Sequence, residues 1–309
     1  MAPATISVHT RALLAVAGAV ALWGTSSVMI KLVPSTGIIT AFYRLWFAIP
    51  LLWMIPLARP DIRRRLDGRW LRACVAGGTL FFLHQALFFS SLKITTVANV
   101  TIIGALQPAL VLLLAGPLFG ERTSVAGMLW TAVAFAGTVL VVLGARAAPT
   151  WSLAGDALAF ANLFAFTGYF LVSKRVRGGV GTWEYVIGMT TVSGVWMLAA
   201  ALATGQDLGS PAPWEWPVFL AIALFPGTLG HVLTNWAHAH TSALAVSMML
   251  LAVPLLSTLG AAAVLDEQVG PLQVAGGAIV LAAIAVIVRS AAPAASEELA
   301  ASAAATDAP

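Results

Sequence analysis

The stretch Thr95-Thr96-Val97-Ala98-Asn99-Val100-Thr101 returns 146 residues later as Thr241-Ser242-Ala243-Leu244-Ala245-Val246-Ser247. The same register sets Pro108 against Pro254 and Glu121 against Glu267, and a neighbouring one sets Thr25 to Lys31 against Gly168 to Lys174. Ordered matches at nearly constant offset mark an internal repeat. The chain therefore reads as two related halves, and the number of elements in each half decides how the halves are disposed.

Composition identifies those elements. Of 309 residues, 60% are hydrophobic and 9% charged, with a mean hydropathy of +0.93; an average soluble domain carries roughly a quarter charged residues. The charges sit in short breaks between continuous apolar runs, each near the ~20 residues that cross ~30 Å of hydrocarbon as a helix. Ten spans result, at about 12–33, 38–58, 70–92, 96–119, 124–145, 153–173, 182–204, 214–237, 242–265 and 271–289. Runs that are apolar on every face exclude transmembrane β-strands, which alternate. The first run opens at Arg11 and continues past Trp23 to Lys31, too long for the core of a cleavable signal, so it is read as a retained helix. Cys74 is the single cysteine, which excludes an intramolecular disulfide and four-cysteine zinc sites. The net charge of +4 lies beside apolar spans and bears on membrane orientation; no nucleic-acid partner is expected.

With the N-terminus inside, twelve Lys and Arg residues are cytoplasmic, led by the cluster Arg59, Arg63, Arg64, Arg65, Arg69 and Arg72, while Lys31, Lys93 and Arg146 lie outside. The positive-inside rule thus places both termini in the cytoplasm, with an even number of spans. Trp70, Trp151, Trp183, Trp214 and Trp216 fall near span ends, where indole prefers the headgroup region. Five spans per half is an odd number, so the second half enters the membrane from the opposite side. The expected fold is an all-α integral membrane protein of ten transmembrane helices in a 5+5 inverted-topology repeat, the plan of many secondary transporters, whose substrate site lies near the midplane between the repeats. The expected organisation is a cytoplasmic N-terminus over 1–11, five-helix repeats over 12–145 and 146–289, and a disordered Ala/Ser-rich tail over 290–309.

Ten spans in two halves, each with a Thr/Ser-x-Ala-like stretch before an intramembrane Pro and a Glu ending its fourth helix, resemble the drug/metabolite transporter superfamily and, within it, the EamA-type ten-helix exporters. The resemblance covers about residues 12–289. The aromatic-rich set Trp23, Phe88, Phe89, Phe166, Tyr169 and Trp236 is most similar to the YddG-like aromatic amino acid exporter branch. The resemblance implies a central cavity lined by helices 1, 3, 4, 6, 8 and 9. It also implies outward transport of amino acids or similar small metabolites across a bacterial inner membrane by alternating access, as a monomer or weak homodimer. No cofactor is implied.

Polar groups within spans are costly in hydrocarbon and mark candidate binding residues. Helix 3 carries His84 and Gln85 amid Phe81, Phe82, Phe88 and Phe89; helix 8 carries His231 and Asn235 on one face, followed by Trp236. Asn162, Phe166 and Tyr169 form one stripe on helix 6, and Trp23 and Ser26 occupy a comparable stretch of helix 1. Thr101, Gln107 and Pro108 in helix 4 answer Ser247, Met248 and Pro254 in helix 9, with the prolines as helix breaks or hinges. The expected substrate-binding residues are Trp23, Ser26, His84, Gln85, Phe88, Thr101, Gln107, Asn162, Phe166, Tyr169, His231, Asn235, Trp236 and Met248; interhelical hydrogen bonding and packing are the other reading of the same groups. Arg44, inside span 2, either snorkels to the interface or touches substrate. Lys31 and Lys174 are read as snorkelling, and Glu121 and Glu267 as structural.

Absences narrow the chemistry. No acidic residue lies deep in a span, which disfavours a carboxylate-driven cation/proton antiporter, and no metal site is expected. The sequence contains no HExxH, no Gly-x-Ser-Gly, no Walker loop and no complete TVGYG filter, so an enzyme, an ATP-driven pump and a potassium channel all rank below a secondary carrier. Its expected cargo is partly apolar, held by rings, hydroxyls and amides.

Overall fold

The computed structural model describes residues 7–66, 68–95, 97–120, 125–143, 152–209, 211–265, 270–272, 274–283 and 285–286. Among them every element is helical. The first half holds α1 (Val8–Leu32), α2 (Gly37–Ala58), the short α3 (Pro60–Arg63), α4 (Gly68–Ile94), α5 (Val97–Gly104), α6 (Gln107–Phe119) and α7 (Val125–Leu143). The second holds α8 (Leu153–Val176), α9 (Thr182–Ala203), α10 (Glu215–Ile222), α11 (Gly230–His238), α12 (Ala243–Met249), α13 (Val253–Leu265) and α14 (Val274–Ala283). Side chains that accept backbone N–H bonds set several starts: Ser7 for α1, Thr36 for α2, Ser152 for α8 and Ser242 for α12.

Six helical stretches are long and apolar enough to cross a membrane: Val8–Leu32, Gly37–Ala58, Trp70–Ile94, Leu153–Val176, Thr182–Ala203 and Glu215–His238. At the fourth, fifth, ninth and tenth expected spans the apolar helices are shorter, at Gln107–Phe119, Val125–Gly137, Ala243–Ser257 and Val274–Ala283. Two of these follow from proline. Pro108 sits in the first turn of α6, where its missing N–H costs nothing, and the chain turns at Ala105 and Leu106 between α5 and α6. In the second half Leu250–Ala252 tightens to a 3₁₀ turn just before Val253-Pro254. A third break was not expected from the sequence: between α10 and α11 the residues Ala223–Leu229 form a π-helical segment around Pro226. Glu121, Glu267 and the tail over 290–309 lie outside the described residues.

The repeat is visible as one contact made twice. Lys31 Nζ, in the last turn of α1, donates to the Thr95 carbonyl at 3.1 Å; Lys174 Nζ, in the last turn of α8, donates to the Thr241 carbonyl at 2.5 Å and the His238 carbonyl at 3.0 Å. Thr95 and Thr241 are the first residues of the two matched stretches. Snorkelling was the sequence expectation for these lysines; instead each ammonium holds carbonyls at the end of another helix, where orphaned acceptors gather. Lys93 adds bonds to the Ile30 and Val33 carbonyls.

Thr95 Oγ1 also donates to Asp156 in the first turn of α8, at 3.0 Å. Thus α1 ends where α8 begins, and the leading helices of the two halves run in opposite directions. The largest buried cluster joins α2, α4, α8 and α9 through Phe42, Leu45, Phe81, Tyr169, Tyr185 and Met189. The outward surface is apolar as well, with Leu57 73%, Leu113 70% and Val125 77% exposed, as befits a wall meant for lipid.

Candidate functional site

The three helix breaks meet at one place. Pro108 and Gln107 of α6, Pro226 and Gly227 of the π segment, and Pro254 of α13 all line a cavity of about 160 Å³ between the halves. Broken backbone is tolerated at membrane depth only where protein or a cavity satisfies its freed groups, and here the partners are visible. Trp23 Nε1, from α1, donates to the Pro226 carbonyl at 2.9 Å. Arg44, from α2, donates through a terminal guanidinium nitrogen to the Gly227 carbonyl at 2.8 Å. Both close approaches need glycine: a Cβ on Gly230 would fall 2.5 Å from Trp23 Nε1, and one on Gly227 would fall 2.9 Å from Arg44 Nε.

Arg44 therefore does not snorkel. It is 2% exposed and lies seven residues into α2, about 10 Å along the helix, with its guanidinium 5.0 Å over the Phe81 ring and its side chain lining the cavity. Among the described residues no carboxylate lies within ion-pair distance of it, and the Gly227 carbonyl is its single hydrogen-bond partner.

Rings make up much of the rest of the lining. His84 lies 4.6 Å from Phe166 and 5.7 Å from Phe88, centroid to centroid, and its Nδ1 meets Asn162 Oδ1 at 2.7 Å. The amide oxygen accepts, so Nδ1 carries the proton and a neutral ring keeps Nε2 as an acceptor. Trp23 sits 4.9 Å from His231, and Phe166 meets Trp23 edge-on at 6.4 Å. Two amides on the lining are buried without a hydrogen-bond partner among the described residues: Gln85 at Oε1 and Gln107 at Nε2, 3% and 2% exposed. A stranded amide is expensive, and a polar group brought into the cavity would relieve it.

Of the residues expected to bind substrate, Trp23, Ser26, His84, Gln85, Phe88, Gln107, Asn162, Phe166 and His231 line this cavity. Tyr169 and Asn235 stand behind the wall: Tyr169 Oη lies 3.2 Å from His231 Nδ1 and accepts from Asn235 Nδ2 at 3.0 Å, so both position the histidine. Met248 is buried but off the lining. The Thr101 side chain lies outside the described residues.

Trp236 is not on the lining of this cavity. Five residues beyond His231 it has rotated to another face of the helix, and it lines a separate groove of about 310 Å³ with Arg59, Arg65, Trp183 and Glu184. There Arg65 Nε lies 3.0 Å from Glu184 Oε1, joining the α3 region to the start of α9, and the hydrogen bond from Arg59 holds the Asp61 carboxyl below the ordinary carboxylate range. The sequence reading omitted Phe89, Gly104, Pro226, Gly227 and Ser247 from the site. Pro226-Gly227 inside an apolar run was a signal for the third break, and Ser247 stands at the repeat position of Thr101.

Comparison with known proteins supplies the family. No curated protein matches the chain. Twenty-nine solved chains match it; one, titled "Crystal structure of protein", superposes with a TM-score of 0.77 at 21% identity over 92% of this chain and 99% of that one, a likeness that establishes the fold. The model of the EamA-like transporter family matches twice, at residues 10–143 and 153–289, so each half is one repeat of that family. This helical membrane protein, with its cavity between two repeats, belongs to the EamA-like transporter family.

Proposed function

We propose that the chain is a secondary exporter of amino acids, aromatic ones included, or of similar small metabolites, working by alternating access through the central cavity. The observation that carries this is the cavity itself, with rings on one wall, unpartnered amides on the lining and the three helix breaks converging on it. An engineered cavity of roughly 150 Å³ accepts benzene, so about 160 Å³ accommodates one ring. Broken helices at matching positions of two halves are the pattern of transporter binding sites, and they supply bending points for rocking.

The proposed frame is ten spans in an inverted repeat, divided at 12–145 and 146–289, with both termini cytoplasmic and the protein in a bacterial inner membrane. The opposed directions of α1 and α8 and the excess of Lys and Arg on one side support it. Outward direction rests on the family resemblance.

The test is counterflow in proteoliposomes over a panel of amino acids, with Gly104→Leu as a plug. Gly104 lines the cavity, and a Cβ there meets no atom within 4 Å, so a leucine side chain starts from open space at the cavity wall. Saturable counterflow in the wild type, abolished in a Gly104→Leu protein that still elutes as a folded species, is the expected result. Nonsaturable conductance, or full counterflow in the plugged variant, overturns the reading.

A further inference from the structure

We propose, resting on the carrier reading above, that Arg44 is the anchor for a carboxylate, so that the cargo is a monocarboxylate with an apolar body of about one ring. A guanidinium in hydrocarbon is retained only where something compensates its charge. Among the described residues its partners are the neutral Gly227 carbonyl and the Phe81 ring, neither of which carries a charge, and the residues lining the cavity include no Asp or Glu. An anion entering the cavity completes the pair, and the planar fork of arginine fits a carboxylate in two parallel bonds.

The amides on the lining point the same way. Among the described residues Gln107 Nε2 is a buried donor and Gln85 Oε1 a buried acceptor without a partner, so a rotation of either side chain toward the cavity offers the cargo a further hydrogen bond. A single guanidinium among the lining residues matches one negative charge rather than the two of a phosphomonoester. A carboxylate facing the cavity would bind an ammonium strongly, and none is present among the lining residues, so the α-amino group of an amino acid contributes little. The acid is the recognised group and the amine is dispensable.

Changing the ligand tests this without touching the fold. Phenylalanine, its des-amino analogue 3-phenylpropionate, its carboxamide and phenethylamine are compared by thermal shift of the detergent-purified protein and by competition in proteoliposome counterflow. Phenylalanine and 3-phenylpropionate are expected to bind within about threefold of each other, and the carboxamide and the amine at least about tenfold more weakly, the loss of one charge-assisted hydrogen bond. Arg44→Gln abolishes that preference, and Arg44→Lys, which keeps the charge but not the fork, retains part of it.

Equal binding of acid and carboxamide overturns the anchor while leaving the carrier reading intact. Binding of phenylalanine but not 3-phenylpropionate makes the amine the recognised group and overturns it equally. Acid-selective binding with no counterflow keeps the anchor and overturns the carrier. Absence of both binding and counterflow in the wild type overturns both.

Discussion

Replacing Gly227 by alanine sets two opposed effects against each other. Alanine is worth up to about 1 kcal/mol over glycine inside a helix, so the change stabilises wherever space allows. At Gly227 space does not allow it. The new Cβ would lie 2.5 Å from the Ile222 carbonyl oxygen, 2.9 Å from Arg44 Nε and 3.4 Å from Arg44 Cζ. The first of these is backbone and cannot swing aside, so the π segment is overpacked, and the second pushes Arg44 off the Gly227 carbonyl. Overpacking of this kind costs about 1–3 kcal/mol, and losing a hydrogen bond from a charged donor about 1.5–3 kcal/mol. Even at the low ends, the two together outweigh the helix-propensity gain. The net expectation is destabilisation by about 1.5–5 kcal/mol, together with loss of substrate affinity because the guanidinium moves. Gly260→Ala is the matched control: a Cβ there meets nothing within 4 Å on α13, so it should be neutral or mildly stabilising. Thermal unfolding in detergent and the KM for counterflow measure the two effects separately. If Gly227→Ala is as stable and as active as Gly260→Ala, the placement of Arg44 against the broken helix is wrong.

The paired lysines make a second prediction. Lys31→Met and Lys174→Met each strip an ammonium from helix-end carbonyls and should each lower stability by about 1–2 kcal/mol, measured as a fall in the thermal midpoint; a neutral outcome in both means the lysines do no more than reach the interface. Transport kinetics separate wall from periphery. His84→Ala should raise KM several-fold, since it removes a ring that packs at a tilt against Phe166 and bonds Asn162, whereas Trp236→Phe, in the separate groove, should leave KM unchanged. A KM raised by Trp236→Phe and untouched by His84→Ala would reverse the assignment of the cavity.

What the sequence makes legible here follows from what lipid demands. Charge is so costly in hydrocarbon that its positions delimit the spans, and the repeat is read directly because Thr95 and Thr241 do the same job under the same lysine contact. Nine of the fourteen expected binding residues line the cavity because polar groups at depth have few places to be. The expected residues that fall off the lining are those where side-chain direction matters. Trp236 follows Asn235 in sequence, yet one residue is 100° of helix, enough to carry an indole from the cavity side to another groove. Tyr169 shares a stripe with Phe166 but its hydroxyl is used up on His231 and Asn235, so it supports the wall without forming it. The π segment escapes the pattern because an apolar run stays apolar when it widens by one residue; only Pro226-Gly227 betrays it.

That segment also explains why fold and ligand recognition are hard to separate in this cavity. Pro226 contributes no N–H to the helix, so the carbonyl one turn upstream loses its donor and the segment widens. Within that segment the Pro226 and Gly227 carbonyls accept from outside the helix, from Trp23 and from Arg44, which come from the other repeat. The same two side chains line the cavity. If the proposed carboxylate cargo draws the guanidinium toward itself, it competes with the Gly227 carbonyl for its donors, and a shift of Arg44 reaches the broken helix through that bond. On the proposed alternating-access reading, binding and bending would then be coupled through one side chain. It follows that substitutions at Arg44 and Trp23 should change KM and turnover together, whereas substitutions on the ring wall at Phe88 or Phe166, which hold no helix-break carbonyl, should act on KM alone. Equal effects on turnover from both groups would remove the coupling.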